Sequence, residues 1–311
     1  MEIFATLPPP HLEHALGIIA ANGTLTAARF NVGARSPLDP KETLRRLLAV
    51  MGGKPLYVDL KGRQLRIVSW AVPTFGDIVL NHEIEVDIPA EISFRGSQQG
   101  TFIRSVSGNR VYVDPPPLQA VGAGQSVNIR GRNLRIAGYL TDEDRAYVLA
   151  AKELGIRNYM LSFVEEENDL RELLELDPQA RIIAKIESSK GLSFVKNEYP
   201  KYGGHVRLMA ARDDLFENIR DDTFAMFDAL RSIVEADPTA IAASRLLESF
   251  GTSRKVSLAD LADLLMLGEM GYRNFMLSDE MSFGSTRRTD AFQDAMGILE
   301  TFRETIENRE E

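Results

Sequence analysis

Arg181-Ile-Ile-Ala-Lys-Ile-Glu187 decides how this chain is read. Its apolar residues run almost unbroken, as in a strand of a parallel sheet that is covered on both faces. It closes on Lys185 and Glu187, two apart and therefore on one face of a strand. A buried strand that delivers charge at its C-terminal end is the pattern of an α/β barrel, where chemistry sits at the start of the βα loops. Seven further runs read the same way: Ile3–Leu7, Leu25–Val32, Leu56–Asp59, Asn158–Phe163, His205–Ala211, Thr239–Ser244 and Arg273–Ser278. Helical spacing follows most of them, over His11–Ala21, Pro40–Met51, Thr141–Leu154, Asn168–Leu176, Thr223–Glu235, Ser257–Met270 and Arg287–Glu307. Thr141-Asp-Glu-Asp144 and Ser257-Leu-Ala-Asp260 resemble capping boxes at two of these starts. Eight units met without forcing any element predict a (β/α)8 TIM barrel rather than an open doubly wound sheet.

One segment breaks the rhythm. Between the third strand and the helix at Thr141 there is no helical period. Instead Glu83-Ile-Glu-Val-Asp-Ile88 alternates strictly, Ser107-Gly-Asn109 signals a turn, and a strand follows at Arg110–Asp114. The expected organisation is a barrel of residues 1–67 and 135–311 with an inserted β-rich lid domain over 68–134. Trp70, at the start of the insert, is expected to pack the hinge.

The 311 residues hold 45 Asp and Glu against 36 Lys and Arg, a formal charge of −9. That excess argues against nucleic acid or an anionic membrane as the main partner, yet allows an anionic substrate where Lys and Arg gather locally. The absence of cysteine excludes disulfides and thiolate chemistry. No apolar run reaches the ~18 residues of a membrane span. The first residues lack a basic segment followed by an apolar one, so a cytoplasmic location is expected. His11 and His14 read as surface residues, and Glu165-Glu-Glu167 as the acidic start of a helix.

Polar residues collect at the strand ends. Arg29 and Asn31, Asp59 and Lys61, Lys185 and Glu187, and Arg212 and Asp214 are each two apart, while Ser162, Ser244 and Ser278 end three more strands. A solvated ring of salt bridges is the plain alternative. Carboxylates from adjacent strands suit a hard divalent cation, Mg²⁺ or Mn²⁺, and the neighbouring cations suit a small anion.

These stretches resemble pyruvate kinase. Arg181–Glu187 is similar to its catalytic strand, Ala28-Arg-Phe-Asn31 to its "ARLNFSHG", Val58-Asp-Leu-Lys-Gly-Arg-Gln-Leu-Arg66 to "LDTKGPEIR", and Met209-Ala-Ala-Arg-Asp-Asp-Leu215 to "MVARGDL". Ala242–Ser249 resembles "ATQMLES", and Phe275-Met-Leu-Ser-Asp-Glu280 resembles "VMLSGE". The motifs keep the family's order, and the insert falls where the family's lid belongs. The resemblance implies that Glu187 and Asp214 hold the divalent metal. It implies that Lys185 steadies the phosphoryl group beside the enolate and that Arg29 meets the transferring phosphate. Ser244 would serve protonation of the enolate. Asn31 and Asp59 match half of the monovalent-cation site, and Arg66 an arginine near the nucleotide phosphates.

The departures bear on function. Gly33 and Ala34 replace a serine and a histidine, Leu60 a threonine, Gln64 a glutamate and Asp213 a glycine. Gly124 and Gln125 replace the lid's lysine pair, and Thr6-Leu-Pro-Pro9 the nucleotide loop "Thr-Ile-Gly-Pro". The sequence runs little past the eighth unit, so a counterpart of the family's C-terminal effector domain is not expected. The expected function is a pyruvate kinase-like phosphotransferase on phosphoenolpyruvate, pyruvate or a close analogue, with Mg²⁺ or Mn²⁺. K⁺ is not expected to be required, and any nucleotide is expected to bind weakly. The alternatives are a metal-dependent enolate enzyme on an α-keto acid, of lyase or aldolase type, and a non-catalytic relative. The expected partner is a small anion, an α-keto acid or enol phosphate, and a homo-oligomer is compatible with the sequence.

Overall fold

The computed structural model describes residues 1–34, 36–70, 77–94, 100–117, 122–219, 224–253, 255–284 and 290–310, with side chains to residue 308. The chain forms two compact units, residues 1–60 with 143–311, and residues 61–142. The expected insert, 68–134, lies within the second unit.

In the first unit eight parallel strands close into a barrel: Glu2–Leu7, Ala27–Asn31, Leu56–Leu60, Asn158–Leu161, Arg181–Ile186, Val206–Ala211, Ile241–Ala243 and Asn274–Met276. Each expected strand is present, shortened by a residue or two at most ends. Closure comes from pairing of the first strand with the last, Glu2 to Asn274 and Phe4 to Met276. The barrel interior is filled rather than hollow. Phe4, Ala27, Met160, Ile183, Met209, Ile241, Ala243 and Met276 form one buried cluster, joined by Tyr57, so that every strand contributes. Small residues such as Ala27 and Ala243 share the cluster with methionines and Phe4, the mix of sizes that fills a barrel of this kind.

Period two then places the next inward layer. Two residues past Ala27, Tyr57, Met160 and Ile183 come Arg29, Asp59, Ser162 and Lys185. A charged layer thus rests on an apolar one, at the C-terminal end of the strands.

The expected helices are present, with starts shifted by a few residues. The expected beginnings at Thr223 and Arg287 lie outside the described residues. The Ser257 box is formed, its hydroxyl accepting from the Asp260 amide at 3.1 Å. At the acidic start Glu165–Glu167, Asp169 accepts from the amides of Glu165 and Glu166 at 2.8 and 3.1 Å. Two helices, Ser189–Asn197 and Arg212–Ile219, are additions to the expected set. The second corrects the pairing of Arg212 with Asp214. The strand ends at Ala211 and the helix begins at once, so these two residues follow helical rather than strand geometry.

The second unit holds a six-stranded antiparallel sheet in the order Val127–Arg130, Ala90–Phe94, Thr101–Ser107, Arg110–Asp114, Ile78–Leu80, Ile67–Ser69. Its core is Ile78, Leu80, Ile92, Phe94, Ile103 and Val111. Gly108, at φ +61°, makes the turn between two of the strands, as Ser107-Gly-Asn109 predicts. The alternation over Glu83–Ile88 gives only a two-residue strand, Ile84–Glu85, paired with Arg135–Ile136. Ile88 is exposed, and Pro89 after it has no amide to extend a ladder. Trp70 stacks on Phe94 with centroids 6.1 Å apart, so it packs inside this unit's core.

Candidate functional site

The polar layer is a connected network. Asp59, at the end of the third strand, is almost fully buried and faces two cations. Arg29 Nε lies 2.9 Å from its Oδ2, and Lys185 Nζ lies 3.4 Å from its Oδ1. The first is an ion pair without the alignment of a hydrogen bond. Lys185 also lies 3.2 Å from Glu187 Oε1 and donates to Ser162 Oγ at 2.8 Å. The Ser162 hydroxyl accepts that bond and donates to the Leu60 carbonyl at 2.9 Å. Phe163, at φ +53°, turns its amide onto Glu187 Oε2 at 2.6 Å. A bulky residue in the left-handed region costs on the order of 1–3 kcal/mol, and here that conformation supplies a donor to the buried carboxylate.

Glu187 stands just before the helix Ser189–Asn197, which is capped by the Ser188 hydroxyl accepting from the Gly191 amide at 3.1 Å. Asp214 lies in the first turn of Arg212–Ile219, where a carboxylate is favoured by the helix dipole. Asn218 joins the two segments, donating to the backbone carbonyls of Glu187 at 3.0 Å and Asp214 at 2.8 Å.

The electrostatics follow from burial. Desolvation and the neighbouring Asp214 push the Glu187 carboxyl up to about 7, against the lowering effect of Lys185 and the Phe163 amide. Burial alone would lower Lys185, yet Asp59 and Glu187 outweigh it and hold the ammonium above its ordinary range. Arg29 is likewise held up by Asp279, Asp59 and Glu187 against its burial.

Asp279 is the member that sequence reasoning missed. Its Oδ1 lies 2.8 Å from Arg29 Nη2, and its Oδ2 accepts from Asn31 Nδ2 at 3.0 Å. A signal for it does exist in the sequence, because "VMLSGE" has glycine where this chain has Asp279. Asn31 turns its other amide atom, Oδ1, to the Gly33 amide at 3.0 Å.

The structure therefore brings together Arg29, Asn31, Asp59, Lys185 and Glu187, with Asp214 acting on Glu187 and Lys185 through its charge. Other expected members are engaged elsewhere. Arg212 forms a fork with Asp263 at 2.6 and 2.9 Å and donates to the Ser244 carbonyl at 2.6 Å. Ser244 itself sits at φ +71°, and its bonds run from that carbonyl rather than from the hydroxyl. The Ser278 hydroxyl accepts from the Met281 amide and so caps a turn. Asp213 pairs with Arg245 at 2.6 Å, which offsets its charge. Arg66 belongs to the second unit, where it donates to Gln64 Oε1 at 2.8 Å and to the Gly124 carbonyl at 2.7 Å.

The donor set suits a divalent cation. Among the described residues two cations, Arg29 and Lys185, stand with four carboxyl groups, Asp59, Glu187, Asp214 and Asp279. Among the described residues no three acidic or His side chains form a complete cage. Glu187 and Asp214 are the carboxylates that could hold an oxygen-seeking ion such as Mg²⁺.

A filled (β/α)8 barrel with a carboxylate and cation cluster at its C-terminal rim defines an α/β barrel protein with a charged mouth. Comparison places it beside one family. Over 303 residues, 91% of this chain and 55% of that protein, it is 24% identical to the pyruvate kinase of Thermoplasma acidophilum. It is 29% identical to the pyruvate kinase of Geobacillus stearothermophilus over 167 residues, 51% of this chain and 28% of that one. The crystal structure of Cryptosporidium parvum pyruvate kinase superposes with a TM-score of 0.72 at 17% identity, covering 98% of this chain and 70% of that chain. No protein-family model matches. The chain is a relative of the pyruvate kinases that spans about half the length of the first of these. No described helix is long and apolar enough to cross a membrane.

Proposed function

We propose that the barrel mouth binds a three-carbon α-keto acid or its enol phosphate together with a divalent metal, in the manner of a pyruvate kinase-like phosphotransferase. The observation that carries this reading is Lys185 held between Asp59 and Glu187 in a buried network of charged groups. A barrel rim needs no such arrangement for stability, since burying charge is costly unless it serves a site. Glu187 and Asp214 would hold Mg²⁺ or Mn²⁺, which supplies Lewis-acid stabilisation of negative charge on a keto oxygen when bound. The Lys185 ammonium is fixed by Ser162 and two carboxylates, so it places a positive charge without reorganisation. Arg29 is the cation for a second anionic group. Ser244 is the hydroxyl at the end of the seventh strand proposed for proton delivery. Arg66, Asn31 and Asp59 are the positions the resemblance offers for nucleotide and monovalent cation.

A second reading, an enolate enzyme without phosphoryl transfer, is favoured by the occupation of Arg29 and Asn31 by Asp279. Both readings require enolisation. The test is proton–deuterium exchange of the pyruvate methyl group in D₂O with Mg²⁺ or Mn²⁺. Exchange is expected in the native chain, to vanish in Glu187→Gln and Asp214→Asn, and to fall by ~10²–10³ in Lys185→Ala. Exchange no faster than that of metal in buffer would sink both readings.

A further inference from the structure

We propose that Asp279 is an anion built into the position in front of Arg29, and that it selects substrates with a carboxylate but no phosphoryl group. This rests on the second reading above, the enolate enzyme without phosphoryl transfer, and narrows "keto acid or enol phosphate" to the unphosphorylated acid.

The geometry is that of a bound oxyanion. One carboxylate oxygen of Asp279 takes the Arg29 Nη2 at 2.8 Å, and the other takes the Asn31 amide at 3.0 Å. These are the donors that an arginine and a neighbouring amide would offer two oxygens of a phosphoryl group. The other guanidinium nitrogens make weaker contacts deeper in the barrel. Nε faces Asp59 at 2.9 Å, and Nη1 has the sulfur of Met276 at 4.0 Å. The Arg29 side chain is only 10% exposed, whereas Asp279 is 39% exposed. Solvent, and any ligand arriving from it, meets the carboxylate before the guanidinium.

Charge points the same way. Asp279 sets a carboxylate in front of Arg29, so an incoming phosphoryl dianion would meet a like charge where the guanidinium would otherwise attract it. The contacts of Lys185 run to Asp59, Ser162 and Glu187, and none of them involves Asp279. The half of the site that faces a keto or enolate oxygen therefore keeps its cation, and the half that faces a phosphoryl group does not. Asp279 lies 250 positions from Arg29 in sequence and follows the last strand, so the selection comes from closure of the barrel on itself.

The experiment uses the full chain as wild type, Asp279→Gly and Asp279→Asn, with Mg²⁺ present. Calorimetry measures the affinities of phosphoenolpyruvate, pyruvate and inorganic phosphate, and circular dichroism checks folding. The asparagine variant keeps the side chain's shape and removes its charge. The expected result is a gain on the order of 10²-fold in the ratio of phosphoenolpyruvate to pyruvate affinity in both variants, with a parallel gain for inorganic phosphate. Phosphate and phosphoenolpyruvate affinities that stay at the wild-type value in both variants overturn the inference. So does wild-type protein that binds phosphoenolpyruvate more tightly than pyruvate. If pyruvate binds to none of the three while inorganic phosphate still gains, the keto-acid reading falls and the exclusion of phosphoryl groups by Asp279 stands.

Discussion

Replacing Lys185 by methionine separates a working charge cluster from a decorative one. Methionine keeps the unbranched shape of the side chain, one atom shorter, and removes its charge. Lys185 is buried, with Asp59 at 3.4 Å and Glu187 at 3.2 Å, both carboxylates nearly inaccessible to water. Removing one member of a buried pair costs ~3–5 kcal/mol, because the remaining charge is left without compensation. Two features push the value to the lower end. Asp59 keeps Arg29 at 2.9 Å, and the Glu187 carboxyl, already raised to about 7, can take up a proton instead of staying charged. The expected loss is therefore about 3 kcal/mol. Urea unfolding at pH 7.5, followed by circular dichroism at the helical minimum, reads it. Trp70 fluorescence would report the second unit instead, whereas the described helices belong almost entirely to the barrel. Saturating Mg²⁺ should restore more stability to the variant than to the wild type, since the ion supplies the missing positive charge; an ion at a hundred times its Kd contributes about 2.7 kcal/mol. A loss below about 1 kcal/mol, or Mg²⁺ that helps the wild type more than the variant, would refute the account of the cluster.

Three further outcomes follow from named contacts. Any turnover should persist when K⁺ is exchanged for an organic cation, because Leu60 and Gly33 bring no hydroxyls and the Asn31 oxygen already accepts from Gly33; a steep rate loss would count against this. ADP with Mg²⁺ should give weak calorimetric binding, as Arg66 is held by Gln64 and the Gly124 carbonyl; tight binding would contradict it. Gly191→Ala should lower the unfolding free energy by about 1–3 kcal/mol, because its new methyl group would meet the Val164 carbonyl oxygen at 3.0 Å and Ile186 Cγ2 at 3.3 Å beside Glu187; unchanged denaturation would show that the helix start can shift freely.

Much of the barrel was legible because parallel strands buried on both faces leave apolar runs, and a run such as Ile182-Ile-Ala184 between polar neighbours is too short for a buried helix. The charged layer was legible for the same reason: Lys185 and Asp59 interrupt such runs only at their ends. What escaped lacked a local signal. The helix Ser189–Asn197 buries little beyond Phe194 and Val195, too few apolar positions to show a period. The helix Arg212–Ile219 starts without a break from the preceding strand, which made Arg212 and Asp214 look like strand neighbours. Asp279 meets partners about 250 residues away, and no spacing rule reaches that far. The pairing of Arg212 with Asp263 on the helix Leu258–Met270 is of the same kind.

Asn218 ties the first turn of its own helix to the end of the neighbouring strand. Its single side-chain amide holds the carbonyl of Glu187 with one hydrogen and that of Asp214 with the other. The helix Arg212–Ile219 can then shift only by carrying the Glu187 segment with it. Tolerance for insertion should be greater after the last strand, two strands round the barrel from Asp214, where Asp279 reaches in. A rim divided in this way has a clamped half and an adjustable half, and new substrate preferences would be expected to arise by editing the adjustable one.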